Sequence, residues 1–245
     1  MNRSFVDALE DRRLFAAGPQ VTSQLVLGND DAISGVVIGF DSQLDPASAT
    51  NPEHYLFGGS RGSGRNVHKA DILTPVYNDT DRTVTLTFTK QFAITRFKRL
   101  KIVVRGEPGR GVTDTSGNLL DGNRDGEAGG DSDTRYKLAR GTKFSYKDGD
   151  GDKVSLRVRG ARGRPMTVLF GPNRNAVQVW VTGTGNRLQG EVRQRRTSLG
   201  VAHIARVVLE DPTNTSELLS PSPFNVGQTV VAGSEPVLPN YPTLP

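Results

Sequence analysis

The chain of 245 residues contains no cysteine, which removes disulfide staples, cysteine-bound zinc and thiol catalysis together. Secretion is not removed with them, because a β-sandwich in a chain of this size buries enough core to stand unaided. No apolar run reaches the roughly 18 residues that a helix needs to span a bilayer. Histidine is scarce: His54, His68 and His203 are isolated from one another, with no HxH or HxxxH spacing to hold zinc. No G-x-S-x-G elbow occurs, so a serine triad has no anchor. The phrase GGSRGSGR (58 to 65) lacks the Gly-Lys-Ser/Thr ending of a phosphate loop and reads as a mobile connection between strands. The opening stretch MNRSFVDALEDRRLFAAG places charges where the apolar core of a secretory signal belongs. It reads instead as a short amphipathic helix.

What the chain has in quantity is turn chemistry. With 28 glycines, 14 prolines and 35% hydrophobic residues, it suits many short strands and predicts an all-β fold. The formal charge is +5 and the pI about 9.6. The densest basic stretches are TRFKRLK (95 to 101), RVRGARGR (157 to 164) and EVRQRR (191 to 196). They lie within strand-like segments rather than in a polybasic tail, so no nucleic-acid partner is expected.

The pattern predicts a short N-terminal segment (1–18), a β-sandwich over 19–138, a smaller β module over 139–211 and a Pro/Ser-rich tail over 212–245. VTSQLVLG and ISGVVIGF read as strands around the turn-forming NDDA, and YLF as an aromatic strand. RTVTLTFTKQF is the clearest strand, with Val84, Leu86 and Phe88 on one face and Thr83, Thr85, Thr87 and Thr89 on the other. The second series runs from TKFSYK through VSLRVRG, MTVLFG and AVQVWVTG to VAHIARVVLE. The tail, lacking a sustained apolar period, is expected to stay extended or disordered. Trp180 is either a core residue of the second module or a platform for a sugar ring, depending on which face of its strand is the less buried.

The acidic stretch LDGNRDGEAGGDSD runs from Leu120 to Asp133. Asp121, Asn123 and Asp125 fall at alternate positions before Gly126, with Glu127 and Asp131 beyond, as in the first half of an EF-hand calcium loop. The second half departs from it, because Ser132 stands where the closing Glu belongs. Asp148, Asp150 and Asp152 repeat the alternate spacing before a strand. Each motif has two readings, a calcium site or a polar turn in which Asp and Gly accept unusual backbone angles. A catalytic carboxylate pair is disfavoured, since flexible glycine loops neither fix a pair nor raise one pKa.

Three phrases keep the order of a known family. VVIGFDSQLDPASATNPEHYLF, PVYNDTDRTVTLTF and RLKIVVRGEPGRGVTDTSGNLLDGNRDGEAGGD resemble the Ig-like modules of bacterial surface-layer and large extracellular proteins. LEDRRLFAA (9 to 17) resembles an N-terminal motif of planctomycete-type exported proteins, and FSYKDGDGDKVSLRVRG a β module that accompanies such domains. The resemblance implies an Ig-like β-sandwich followed by a second β module, in a non-enzymatic structural or adhesion protein of the cell surface or extracellular space. Calcium is the expected ion, and other surface proteins or glycans the expected partners. A carbohydrate-binding accessory module is the alternative, and would need Trp180, with Tyr55 or Tyr77, exposed on one flat face. An unrecognised hydrolase would need a concave pocket with convergent polar groups.

Overall fold

Strands form where β-branched and aromatic residues alternate with polar ones, and turns form where Asn, Asp and Gly interrupt them. The computed structural model describes residues 18–62, 67–148, 151–160, 166–183, 187–193, 202–210, 217–219 and 224–231. The amphipathic reading of the first residues and the position of Asp150 lie outside them. In chain order the first strands are β1 (Val21–Gly28), β2 (Ala32–Phe40), β3 (Tyr55–Ser60), β4 (His68–Lys69), β5 (Val76–Asn78), β6 (Thr83–Ala93), β7 (Arg99–Val104) and β8 (Ser132–Gly141). There follow β9 (Lys143–Lys147), β10 (Lys153–Arg159), β11 (Met166–Phe170), β12 (Ala176–Thr182), β13 (Arg187–Arg193), β14 (Ala202–Glu210), β15 (Glu217–Leu219) and β16 (Phe224–Val231). One four-residue helix, α1 (Pro46–Ala49), follows β2, its N-terminus capped by Asp45, which accepts the Ser48 N–H at 2.8 Å. The all-β expectation holds.

The strands make three sheets. A central sheet of eight runs β16-β14-β12-β11-β8-β7-β3-β4, flanked by four-stranded sheets ordered β1-β2-β6-β5 and β15-β13-β10-β9. The first core lies between the β1 sheet and β3, β7 and β8, where Val84, Leu86, Phe57 and Ile102 are buried. Burying each such side chain contributes about 1.5–3 kcal/mol. Strand β6 alternates as the sequence dictates, with Val84, Leu86 and Phe88 inward and Thr87 and Thr89 exposed. The second core lies between β10 and β13 on one side and β11, β12 and β14 on the other, around Leu156, Leu188, Val168 and Val179.

The expected boundary at 138/139 falls inside β8. This strand pairs with β7 through residues 132–137 and with β11 through 137–141, so one sheet runs through both halves. Two described segments of the tail pair with the sheets: β15 adds in parallel to β13 and β16 in parallel to β14. FNVGQTVV carries enough β-branched residues to extend a sheet whose edge is already formed. The segment read as a mobile loop from Gly58 is also corrected in part, because Gly58 to Ser60 close β3. A Cβ at Gly59 would stand 2.5 Å from the Phe97 ring, so the glycine marks a close approach rather than flexibility.

Two buried tyrosines tie the first core together. The Tyr55 hydroxyl donates to the Ala49 carbonyl and that of Tyr136 to Gln24 Oε1, both at 2.8 Å. Burial pushes both phenols well above their ordinary value. A folded pKa above the unfolded one, about 10, gives a contribution complete below that pH and lost as pH rises toward the folded value. In alkaline titration, the tyrosinate absorbance of Tyr55 and Tyr136 should therefore rise together with loss of the far-ultraviolet β signal. Ionisation of both with the fold intact would refute their buried role.

Candidate functional site

The turn that leads into the acidic loop is held at both ends by apolar residues. Val112 and Leu120 are fully buried, and the Leu120 N–H donates to the Val112 carbonyl at 2.8 Å. Between them Asp114 folds the TDTSGN turn on itself, accepting the backbone N–H of Ser116 and Asn118 at 2.8 Å each. Asp121, the next residue after Leu120, is fully buried.

Its carboxylate is the hub of the loop. It accepts from Gln20 Nε2 at 2.7 Å and from the backbone N–H of Asp125 and Gly126 at 3.2 Å each, while its own N–H donates to the Pro19 carbonyl at 3.0 Å. The strand entry at 19–20 and the loop at 121–126 are thereby fixed to one group. Asp131 does similar work, accepting the Gly106 N–H at 3.0 Å. A Cβ on Gly106 would lie 2.0 Å from the Gly130 carbonyl oxygen, so this contact requires glycine. Asn123 and Asp125 stay on the exposed side, joined Nδ2 to Oδ2 at 2.6 Å, and the Glu127 N–H donates to Asp125 at 2.9 Å. The Glu127 N–H and the Asn123 amide hold the Asp125 carboxyl below its ordinary value.

The second acidic motif is the hairpin between β9 and β10. Asp148 Oδ1 accepts the Asp152 N–H at 2.8 Å, and the Asp148 N–H donates to the Asp152 carbonyl at 3.1 Å. Asp152 is fully buried. Among the described residues, no three His, Asp or Glu side chains converge as a metal ion would need. Both oxygens of Asp121 and Oδ1 of Asp131 accept N–H donors, so these oxygens already serve the fold.

A second constellation, absent from any motif, seals the edge of β1. Gln178 Nε2 and Arg206 Nη1 both donate to the Val26 carbonyl, at 2.9 and 3.2 Å, and Trp180 Nε1 donates to the Gly28 carbonyl at 3.1 Å. β1 is the outermost strand of its sheet, and an uncovered strand edge is a template for unwanted pairing. Here the side chains of β12 and β14 cap it. Trp180 is fully buried in the first core while Val179 and Val181 are fully buried in the second, so neither face of β12 is the less buried one. The sugar-platform arrangement is not met: Trp180 and Tyr55 are buried, and the Tyr77 hydroxyl is occupied by the Leu44 N–H and Asp79.

A polar cleft of about 270 Å³ opens between the start of β1 and the start of β8, lined in part by Gln24, Arg124, Asp133 and Tyr136. Its wall carboxylate, Asp133, is tied to Lys101 at 3.0 Å and Arg135 at 3.1 Å. Burial pushes that carboxyl up, but the bonds and charges of Arg135 and Lys101 outweigh it and leave it below the ordinary value. A carboxylate so paired stays ionised and is poorly suited to donate a proton near neutrality. His54 is structural, its Nδ1 within 2.9 Å of the Ser48 carbonyl. Among the described residues no helix is long and apolar enough to cross a membrane.

No protein-family model and no curated protein sequence matches the chain. Solved structures to which it is similar include the N-terminal part of the bacterial S-layer protein SbsC, at 13% identity and a TM-score of 0.35, covering 71% of this chain and 44% of that one. Domains 1–6 of surface layer protein SbsC match at 13% identity and a TM-score of 0.34, covering 71% of this chain and 25% of that one. The S-layer protein rSbsC(31–844) matches at 14% identity and a TM-score of 0.34, covering 69% of this chain and 25% of that one.

Proposed function

We propose that this chain is a non-enzymatic structural module of a cell-surface or extracellular protein, acting as a stiff spacer that presents its faces to neighbouring surface proteins or glycans. The observation that carries the reading is the shared eight-stranded sheet with the capped edge of β1. Two sandwiches joined by a flexible linker would move independently. Two that share a continuous strand and bury Trp180 across their junction resist bending. The buried Asp121 carboxylate serves the same end, because it fixes two backbone amides of its loop and the Gln20 side chain.

Calcium enters this proposal as an adjunct to a loop already ordered by hydrogen bonds. The exposed oxygens of Asn123, Asp125 and Glu127 are where an ion would add rigidity, at the weak affinity usual for extracellular modules.

Protease added to intact cells of the native host should degrade the protein, and purified chain should unfold in one transition by both tryptophan fluorescence and far-ultraviolet dichroism. Protection of the protein within the cytoplasm would overturn the surface reading. Two separate unfolding transitions would overturn the stiff-spacer mechanism.

A further inference from the structure

The outer face of the β15-β13-β10-β9 sheet carries charge in rows. Antiparallel register places Lys153 directly opposite Lys147 on one side and Arg193 on the other. Arg157 lies opposite Lys143, and Arg159 opposite Arg187. All seven are exposed. Their inward neighbours, Val154, Leu156, Val158 and Leu188, are buried in the second core, so the two faces are cleanly divided. Strands about 4.8 Å apart bring the members of each row close together, and successive outward residues along a strand about 7 Å apart.

Like charges directly opposite one another destabilise a sheet. Lysine on an edge strand guards against aggregation, which accounts for Lys143 and Lys147 on β9. It does not account for Lys153, Arg157 and Arg159 on β10, an interior strand of the sheet. Of the carboxylates on this sheet, Glu191 bonds Arg193 at 2.9 Å and Glu217 stands opposite Arg187 in register, which leaves the positive excess at Lys143, Lys147, Lys153, Arg157 and Arg159. Folding gains nothing from such an arrangement, and a partner of opposite charge does.

We infer that this face binds a linear acidic polysaccharide, one bearing carboxylate or sulfate groups along its length. The inference names a partner class for the surface reading above and rests on it only for the choice of a glycan. Arginine presents a planar fork matched to carboxylate and sulfate oxygens. Ser145, Ser155 and Gln189 stand between the cations as outward-facing hydrogen-bonding groups for sugar hydroxyls, with Ser145 Oγ and Ser155 Oγ 3.1 Å apart. The described outward positions of β9, β10 and β13 carry no aromatic side chain on which a nucleic-acid base would stack, and no apolar one to enter a bilayer.

The test is binding of the purified full chain to polygalacturonate and to dextran sulfate, with neutral dextran, a DNA duplex and phosphatidylglycerol vesicles alongside. Either acidic glycan should bind at moderate salt, and neutral dextran should not. The triple variant Lys153→Gln, Arg157→Gln, Arg159→Gln should lose affinity about tenfold or more, with the salt slope reduced by roughly two to three. The pair Lys90→Gln and Arg110→Gln, exposed cations elsewhere, should change little. If the triple variant loses its fold by dichroism, Lys147→Gln with Lys153→Gln takes its place. No glycan binding, equal loss in the distant pair, or tighter binding to duplex or vesicles than to either glycan would overturn the proposal. Such a failure leaves the protease result on intact cells untouched, so the two readings fail separately.

Discussion

Replacing Trp180 by alanine should lower the unfolding free energy by about 3–5 kcal/mol, the range for emptying a large buried aromatic site. The side chain is fully buried in the first core although its strand also serves the second. Its loss opens a cavity at the junction and strands the Gly28 carbonyl, which Trp180 Nε1 satisfies at 3.1 Å. Trp180→Phe keeps most of the volume and loses only the donor, so it should cost about 1–2 kcal/mol. Urea unfolding followed by dichroism checks both. The alanine variant should also bring the two halves apart in stability, seen as a broadened or split transition and as faster amide exchange along β1. A loss below about 1 kcal/mol in a single sharp transition would mean that the seal on β1 does not join the halves.

Asp121→Ala is expected to cost about 2–3 kcal/mol, because it leaves N–H donors from Gln20, Asp125 and Gly126 without their shared acceptor. Asp121→Asn should recover only part of this, since its amide nitrogen turns a donor toward other donors. Amide exchange should rise locally at Asp125 and Gly126. The same measurement in chelator and in calcium separates the two roles of the loop. A loss of equal size in both means the carboxylate acts on backbone amides. A loss confined to calcium-containing buffer would make the ion, rather than the hydrogen bonds, the agent that orders the loop.

Residues on β6 show why part of this fold is legible from sequence. Val84, Leu86 and Phe88 alternate with threonines, and a half-buried strand has no other way to present one apolar face. The Asn29 turn is as readable, its side chain accepting the N–H of Asp31 and Ala32. β12 is not readable in this way. AVQVWVT carries apolar residues on both faces because both faces are covered, and a run of that kind is silent about which neighbour covers which side. Gly58 and Gly59 read as loop residues because nothing nearby in sequence reveals the Phe97 ring or the His68 carbonyl that excludes a side chain. The alternate spacing of Asp121, Asn123 and Asp125 was visible, but the donors that occupy Asp121 come from Gln20, about a hundred positions earlier, as well as from the loop itself.

By itself, then, the sequence determined β1, β2, β3, β6, β9 to β12 and β14, several turns and the all-β class, since these depend on local alternation and on backbone preferences at Asn, Asp and Gly, while β15 and β16 escaped it. Tertiary structure alone decided that one sheet runs through both halves, that Gln178, Trp180 and Arg206 cap the edge of β1, and that the cations of β9, β10 and β13 stand in rows. Each of these depends on register and on which face meets which sheet. Register is set by pairing between distant segments, and local periodicity carries no information about the partner.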